Sequence, residues 1–174
     1  MKNKLLLMII LMLACSLSTP AAQPKEFTNF PKGYTPQEVG VRLADHFVVS
    51  RHAPIHVIGY PETFTWRGSL LFAQATGDTR LLRLLEGRFA HLFGPEKQYL
   101  PIMNHVDVNM FGSLPLLLYR ITKDKKYLDL GLPYADTQWQ CPKDPRVSEK
   151  GWADKGFSWQ TRMWIDDMYM ITIV

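Results

Sequence analysis

The feature that most constrains the fold of this 174-residue sequence is an internal repeat of 46 residues. An apolar segment, 66–75, leads into the turn Thr76-Gly77-Asp78, and a second one, 112–121, leads into the turn Thr122-Lys123-Asp124. Each turn precedes a segment with apolar residues at helical spacing, 81–93 and 127–139. Paired helices at this period are too long for tetratricopeptide or ankyrin units, and they fit a HEAT-like solenoid or an α/α toroid.

The two helices of each repeat differ in polarity. The first is apolar on nearly all sides, so we expect both of its faces to be buried, whereas the second is amphipathic and half exposed. Asp78 and Asp124 stand where they can accept a hydrogen bond at the start of the second helix. The sequence therefore predicts an all-α fold of helical hairpins, each with an inner and an outer helix.

Two further helices complete this description. One opens at Thr35-Pro36, with Glu38 three residues after the capping threonine. A third inner helix starts near Arg162 and continues to Val174, where the chain ends in an apolar segment without a capping residue. We therefore expect residues 35–174 to form about two and a half hairpins of a truncated helical domain.

The N-terminus resembles an export signal. Lys2 and Lys4 precede an unbroken apolar run, 5–14, which is too short to span a bilayer as a stable helix. Ala14-Cys15 after this run resembles a bacterial lipobox, which places a lipid on Cys15, and cleavage after Ala21 or Ala22 is the rival reading. We expect residues 1–22 to be the signal, 23–34 a linker, and the protein to reside in the periplasm or, as a lipoprotein, at the outer membrane of a bacterium.

Composition narrows the class of protein further. A hydrophobic content of 47% supplies a core and argues against disorder. The net charge of +4 includes the two leader lysines, and no cluster of basic residues indicates binding to a nucleic acid. We expect attachment to a membrane only through a lipid on Cys15.

The residues suited to chemistry gather before the inner helices. Aromatic rings can stack on the apolar faces of a sugar, and carboxylates can transfer protons, so these segments suit a carbohydrate site if they converge. Asp107 enters the second inner helix and is either its N-cap or a carboxylate of the site. Asp166 and Asp167 lie inside an apolar run, where an unpaired charge is costly, so at least one of them should face a polar cavity.

No cofactor and no metal are predicted. The pair His105-x-Asp107 is a weak metal signal without a further histidine or cysteine at ligand spacing. The other histidines, His46, His52, His56 and His91, are interpreted as surface or capping residues.

Three segments resemble the unsaturated uronyl hydrolases of glycoside hydrolase families 88 and 105, especially the unsaturated rhamnogalacturonyl hydrolases. They are Trp66-Arg67-Gly68 with the turn after it, His105-Val106-Asp107, and the run from Arg162 to Met170, in which Trp164-Ile165-Asp166 is the most specific part. The resemblance covers roughly residues 35–174. It implies an (α/α)6 barrel of six helical hairpins, of which this chain supplies the N-terminal part.

The resemblance also implies the chemistry. The substrate is a lyase product with a C4=C5 double bond in its terminal uronic acid, and the enzyme protonates C4 and hydrates the vinyl ether. Asp166 takes the position of the acid/base, and Asp107 that of the second carboxylate. His105, Trp66, Trp164, Arg162 and Asp167 are the remaining candidates, which line the pocket or bind the sugar.

Other functions fit the same residues. One is an unsaturated glucuronyl hydrolase that acts on glycosaminoglycan disaccharides, and another is a distantly related epimerase. A third is a sugar-binding or scaffold repeat protein without catalysis, or the inactive remnant of an enzyme. We expect little activity from an incomplete ring, because its open apolar flanks favour aggregation or a partner.

Overall fold

A computed structural model of the protein describes residues 28–52 and 57–174, in which every regular element is a helix. The expected signal at 1–22, with Cys15, lies outside the described residues. The part of the expected linker that is described, 28–34, contains turns and no helix or strand. Residues Pro36–Val174 form the helical unit, and none of its described helices is long and apolar enough to cross a bilayer.

Eight α-helices follow one another in the described chain. They are α1 (Pro36–Val49), α2 (Tyr60–Thr76), α3 (Thr79–Ala90), α4 (Val106–Asn109), α5 (Ser113–Thr122), α6 (Lys125–Thr137), α7 (Val147–Ala153) and α8 (Ile165–Thr172). Short 3-10 turns at His91–Phe93 and Met110–Gly112 extend α3 and connect α4 to α5.

The predicted repeat is confirmed in its turns. The inner helices α2 and α5 both end at a residue with left-handed backbone, Gly77 (φ 68°) and Lys123 (φ 62°). Asp78 and Asp124 then cap the outer helices α3 and α6, each accepting a hydrogen bond from a backbone N–H of the next turn, at 2.9 and 3.1 Å. The hairpins α2–α3 and α5–α6, followed by α8, give the predicted two and a half hairpins of an all-α fold.

The two inner helices differ in burial. All but the C-terminal part of α5 is enclosed, as predicted. The prediction is wrong for α2, which buries Trp66, Leu70 and Ala73 and leaves Gly68 and Leu71 exposed. Helices α1, α3 and α5 pack against α2. Helix α8 contacts α2 at Phe64 and Arg67 through Tyr169, and Gly68 and Leu71 stay uncovered.

Packing within the second hairpin is close at Gly131 of α6. A Cβ atom built on this glycine would lie 2.7 Å from Leu116 Cγ of α5 and 3.2 Å from the Leu116 backbone nitrogen. The absence of a side chain therefore lets the two helices approach, and α6 continues through Pro133 to Thr137.

An ionic group is buried where the chain leaves α1. The Nδ1 atom of His52 lies 2.5 Å from Glu62 Oε1, which also accepts a hydrogen bond from Arg88 Nη2 at 3.1 Å. Arg88 Nη1 donates to the Ser50 carbonyl oxygen at 2.6 Å, so the group joins the segment after α1 to α2 and α3.

The interpretation of the histidines as surface or capping residues is thus wrong for His52, whose side chain is 7% exposed. His46 and His91 are exposed as expected. His56 lies outside the described residues.

Candidate active site

Two elements from different hairpins meet around a small apolar cluster. Val106 and Met110, from α4 and the turn after it, pack against Met170 and Ile171 of α8. This contact places α4, which carries Asp107, next to α8, which carries Asp166 and Asp167.

The segment before α8 is fixed to the end of α6. Ser158 Oγ donates to the Gln138 carbonyl oxygen at 2.8 Å, and Trp159 Nε1 donates to the Thr137 carbonyl oxygen at 2.7 Å. Met163 then adopts left-handed backbone (φ 63°), which costs a non-glycine residue about 1–2 kcal/mol. This turn separates Arg162 from the first turn of α8.

Arg162 bridges two carboxylates. Its Nε and Nη2 donate to the two oxygens of Asp167 at 2.9 and 2.6 Å, and Nη2 also donates to Asp107 Oδ1 at 2.6 Å. Asp107 is 55 residues away in sequence, so the bridge joins the second hairpin to the third. Planar, bidentate pairs of this kind are the strong form of the ion pair.

The electrostatics of the bridge favour the charged guanidinium. The hydrogen bond that Arg162 donates to Asp167 raises the pKa of Arg162, partial burial lowers this pKa, and Asp107 raises it further. Two carboxylates around one cation leave the group with an excess of negative charge.

His105 completes the group on the α4 side. It is the N-cap of α4, with Nδ1 3.2 Å from the Asp107 backbone nitrogen, and its Nε2 lies 3.3 Å from Arg162 Nη1. A neutral imidazole has one acceptor nitrogen, so it accepts from only one of these donors at a time. Because His105 caps the helix, the carboxylate of Asp107 is left to pair with Arg162.

Asp166 and Trp164 lie on the exposed side of the same turn. Asp166 makes no hydrogen bond or ion pair within the described chain and is exposed, whereas the side chain of Asp167 is 1% exposed. The Trp164 ring centroid lies 5.0 Å from Arg162 Cζ, and Trp164 is 62% exposed. An aromatic face and a carboxylate are thus available to a ligand.

A cavity of about 330 Å³ adjoins Arg162 and the carboxylates that it bridges. His105 and Arg162 form one wall, and Trp152, Trp159, Gln160 and Glu149 contribute to the others. Both polar atoms of the Gln160 amide are buried without a hydrogen-bond partner in the described residues. Indole rings beside an unpaired amide suit a ligand with both apolar faces and hydroxyl groups.

Comparison with families of known proteins gives a match over most of the chain. The family model described as Glycosyl Hydrolase Family 88 matches residues 38–174, which is well over half of the chain. The chain belongs to glycosyl hydrolase family 88. It is therefore a glycoside hydrolase, and its substrate is a carbohydrate. Searches of curated proteins and of solved structures returned no match.

In this family 88 hydrolase the structure brings most of the predicted site residues together. Arg162 contacts Asp107, His105 and Asp167, and Trp164 and Asp166 lie in the adjoining turn. The described residues contain no group of three His, Cys, Asp or Glu side chains arranged to hold a metal ion.

Trp66 is the exception. We predicted that it lines the pocket, but it is fully buried among Phe47 and Phe89 and donates its indole N–H to the Leu85 carbonyl oxygen at 3.3 Å. Its ring fills the space between α1 and α3 and offers no face to a ligand.

Sequence reasoning missed the cavity wall supplied by α7. Trp152 and Glu149 were not among the candidates, although Glu149 stands three residues after Arg146 and accepts its backbone N–H at 2.7 Å. Glu149 supplies one half of a capping box, but arginine is not a typical N-cap residue, so the sequence carries only a weak signal for α7.

Proposed function

We propose that this hydrolase removes a terminal 4,5-unsaturated uronic acid from oligosaccharides released by lyases, with fragments of the pectin and rhamnogalacturonan type as substrates. The observation that carries the proposal is the Arg162 bridge. It brings Asp107 and the first turn of α8, where Asp166 lies, to one place beside a cavity with indole walls. Two carboxylates in different environments are what acid/base chemistry on a sugar needs.

In the proposed reaction Asp166 acts in its protonated form. It transfers its proton to C4 of the vinyl ether, and the resulting positive charge at C5 is shared with the ring oxygen. Water then adds to C5 and returns a proton to the Asp166 carboxylate. The hemiketal opens by breaking the bond between C5 and the ring oxygen, and the hemiacetal left at C1 expels the remaining sugar as an alcohol.

The exposure of Asp166 supports this role, because the reacting carboxyl must reach the substrate and exchange protons. Asp107, fixed by Arg162, is suited to accept hydrogen bonds from hydroxyl groups of the unsaturated ring. Trp164 offers an indole face for stacking. No covalent intermediate is required, so the carboxylate spacing that distinguishes retaining from inverting glycosidases does not apply.

The cavity beside Arg162 supplies a place for the next sugar. Trp152 and Trp159 provide ring faces, and the unpaired amide of Gln160 can exchange hydrogen bonds with hydroxyl groups. Ring faces and an amide can bind a saturated sugar as well as an unsaturated one. We therefore assign them to the binding of the leaving-group sugar and give them no part in the proton transfer.

The test follows the absorbance of the conjugated double bond. Purified protein is given an unsaturated rhamnogalacturonan disaccharide, an unsaturated chondroitin disaccharide and a saturated digalacturonide. We expect absorbance to fall fastest with the first, at the low overall rate expected of about two and a half hairpins, and no hydrolysis of the third. Preference for chondroitin would reassign the substrate to glycosaminoglycans, and cleavage of the saturated compound alone would contradict the hydration mechanism.

We also propose that the protein is exported and anchored through a lipid on Cys15, which the leader sequence supports. Expressed with its leader in a Gram-negative host, the protein should fractionate with membranes, and Cys15→Ser should move it to the soluble periplasm. Equal solubility of both forms would favour cleavage after Ala21 or Ala22.

A further inference from the structure

Three of the five N–H groups of Arg162, those on Nε and Nη2, are used by Asp167 and Asp107 within the protein. A guanidinium carries five N–H groups. Nε is directed to Asp167, Nη2 is shared between Asp167 and Asp107, and Nη1 faces Asp107 Oδ2 at 3.5 Å and His105 Nε2 at 3.3 Å. The expectation that Arg162 binds the sugar directly therefore has little support in its contacts.

Its contacts instead join two short helices, α4 and α8, which otherwise meet through the small apolar cluster described above. Helix α4 has only four residues, which is too short to be stable by itself. Helix α8 begins two residues after the left-handed Met163 and has no side-chain cap. Arg162 contacts one carboxylate in the first turn of each helix.

The segment that precedes Arg162 is fixed to the rest of the protein. The hydrogen bonds of Ser158 and Trp159 fix this segment to the end of α6. The Trp164 ring lies over the guanidinium, with its centroid 5.0 Å from Arg162 Cζ. A continuous set of contacts therefore runs from α6 through Arg162 to Asp107 and to the turn that carries Asp166.

From this geometry we infer that Arg162 is a positioning residue, which fixes the Asp107 carboxylate relative to the first turn of α8. It borders the cavity proposed for the next sugar but does not bind the unsaturated uronate through hydrogen bonds. The inference rests on the proposed function only in taking Asp107 and Asp166 as the working carboxylates. Lysine is a poor replacement, because a single ammonium cannot make the paired, planar contacts that span both carboxylates.

The kinetic test uses Arg162→Lys and Arg162→Gln, with Arg80→Gln as control. Arg80 pairs with Asp45 on the surface of the first hairpin, away from the site. We expect both Arg162 variants to lower kcat on the unsaturated disaccharide by about 100-fold, with KM changed less than about threefold, because the interaction lost is needed to align the reacting groups. A rise in KM with unchanged kcat would show direct binding and overturn the inference.

A second measurement is independent of turnover. Amide hydrogen exchange should accelerate at least about tenfold in Val106–Asn109 and in the first turn of α8 in Arg162→Lys, and remain unchanged there in Arg80→Gln. If the wild-type protein turns over no unsaturated uronide, the proposed function fails, but accelerated exchange still supports the positioning role. Unchanged exchange in both segments contradicts the positioning role whatever the activity.

Discussion

Asp166 and Asp167 are neighbours in sequence and lie in opposite environments. Asp167 is buried and accepts two hydrogen bonds from Arg162, at 2.9 and 2.6 Å. Asp166, one residue earlier in the same helical turn, is exposed. Successive residues of a helix point about 100° apart, so one carboxylate is used inside the protein and the other faces solvent.

This difference predicts that alanine at Asp167 and at Asp166 changes the free energy of unfolding by unequal amounts. Asp167→Ala leaves Arg162 without its paired acceptor, and we expect a loss of about 2–3 kcal/mol, less than for a fully buried pair because Arg162 is 30% exposed. Asp166→Ala should change the free energy of unfolding by less than about 0.5 kcal/mol. Urea denaturation of the two variants measures both, and equal losses would contradict the assignment of roles.

The two inner-helix ends offer a matched pair of substitutions. Gly77 and Lys123 have the same left-handed backbone, which favours glycine. Gly77→Ala should therefore destabilise by about 1 kcal/mol, and Lys123→Gly should stabilise by about 0.5–1 kcal/mol. Thermal unfolding checks the signs, and a destabilising Lys123→Gly would show that strain at this turn is not what limits stability.

Replacement by alanine at two helical glycines should change the free energy of unfolding in opposite directions. Gly131→Ala should cost about 1–3 kcal/mol, because its Cβ meets Leu116 at 2.7 Å. Gly87→Ala in α3 meets nothing within 4 Å and should stabilise by about 0.5–1 kcal/mol through helix propensity. Denaturation midpoints of the two variants on either side of the wild type would support the close approach of α5 and α6.

We expect deprotonation of Tyr134 to lower the free energy of unfolding at alkaline pH. Its hydroxyl donates to the Pro101 carbonyl oxygen at 2.8 Å, and burial raises its pKa to about 12 from an ordinary value of 10. The folded state binds this proton more tightly than the unfolded state, so the contribution is fully present below pH 10 and is lost between pH 10 and 12.

The corresponding measurement is unfolding free energy against pH. Tyr134→Phe should lose about 1 kcal/mol at pH 8, where the hydrogen bond is missing, and should show a shallower decline above pH 10. Tyr60→Phe, at a tyrosine that is 42% exposed, is the control and should follow the wild type. Parallel declines for all three proteins would mean that Tyr134 is not the titrating group.

The local features of the fold were predictable, because they depend on short-range physics. Helix caps at Asp78 and Asp124, and the alternation of apolar and amphipathic helices, follow from residue types at fixed spacing. The meeting of Asp107 with Arg162 fits the expectation that the segments before the inner helices form a site if they converge.

What could not be predicted depends on which helix covers which face. The sequence predicts Trp66 to be a site residue, because it stands among aromatic residues near the start of an inner helix. In the structure its side chain packs between α1 and α3. His52 is polar in sequence and buried in the structure because Glu62, from the next helix, pairs with it. Local spacing in the sequence predicts neither the helices that enclose Trp66 nor the pairing of His52 with Glu62.

The central claim, that Asp166 is the acid/base of a family 88 hydrolase acting on unsaturated uronides, is tested most directly by Asp166→Asn. The amide keeps the shape of the side chain and cannot donate the proton, so kcat on an unsaturated disaccharide should fall at least about 100-fold while the stability stays at the wild-type value. Wild-type kcat in a folded Asp166→Asn protein would contradict the claim.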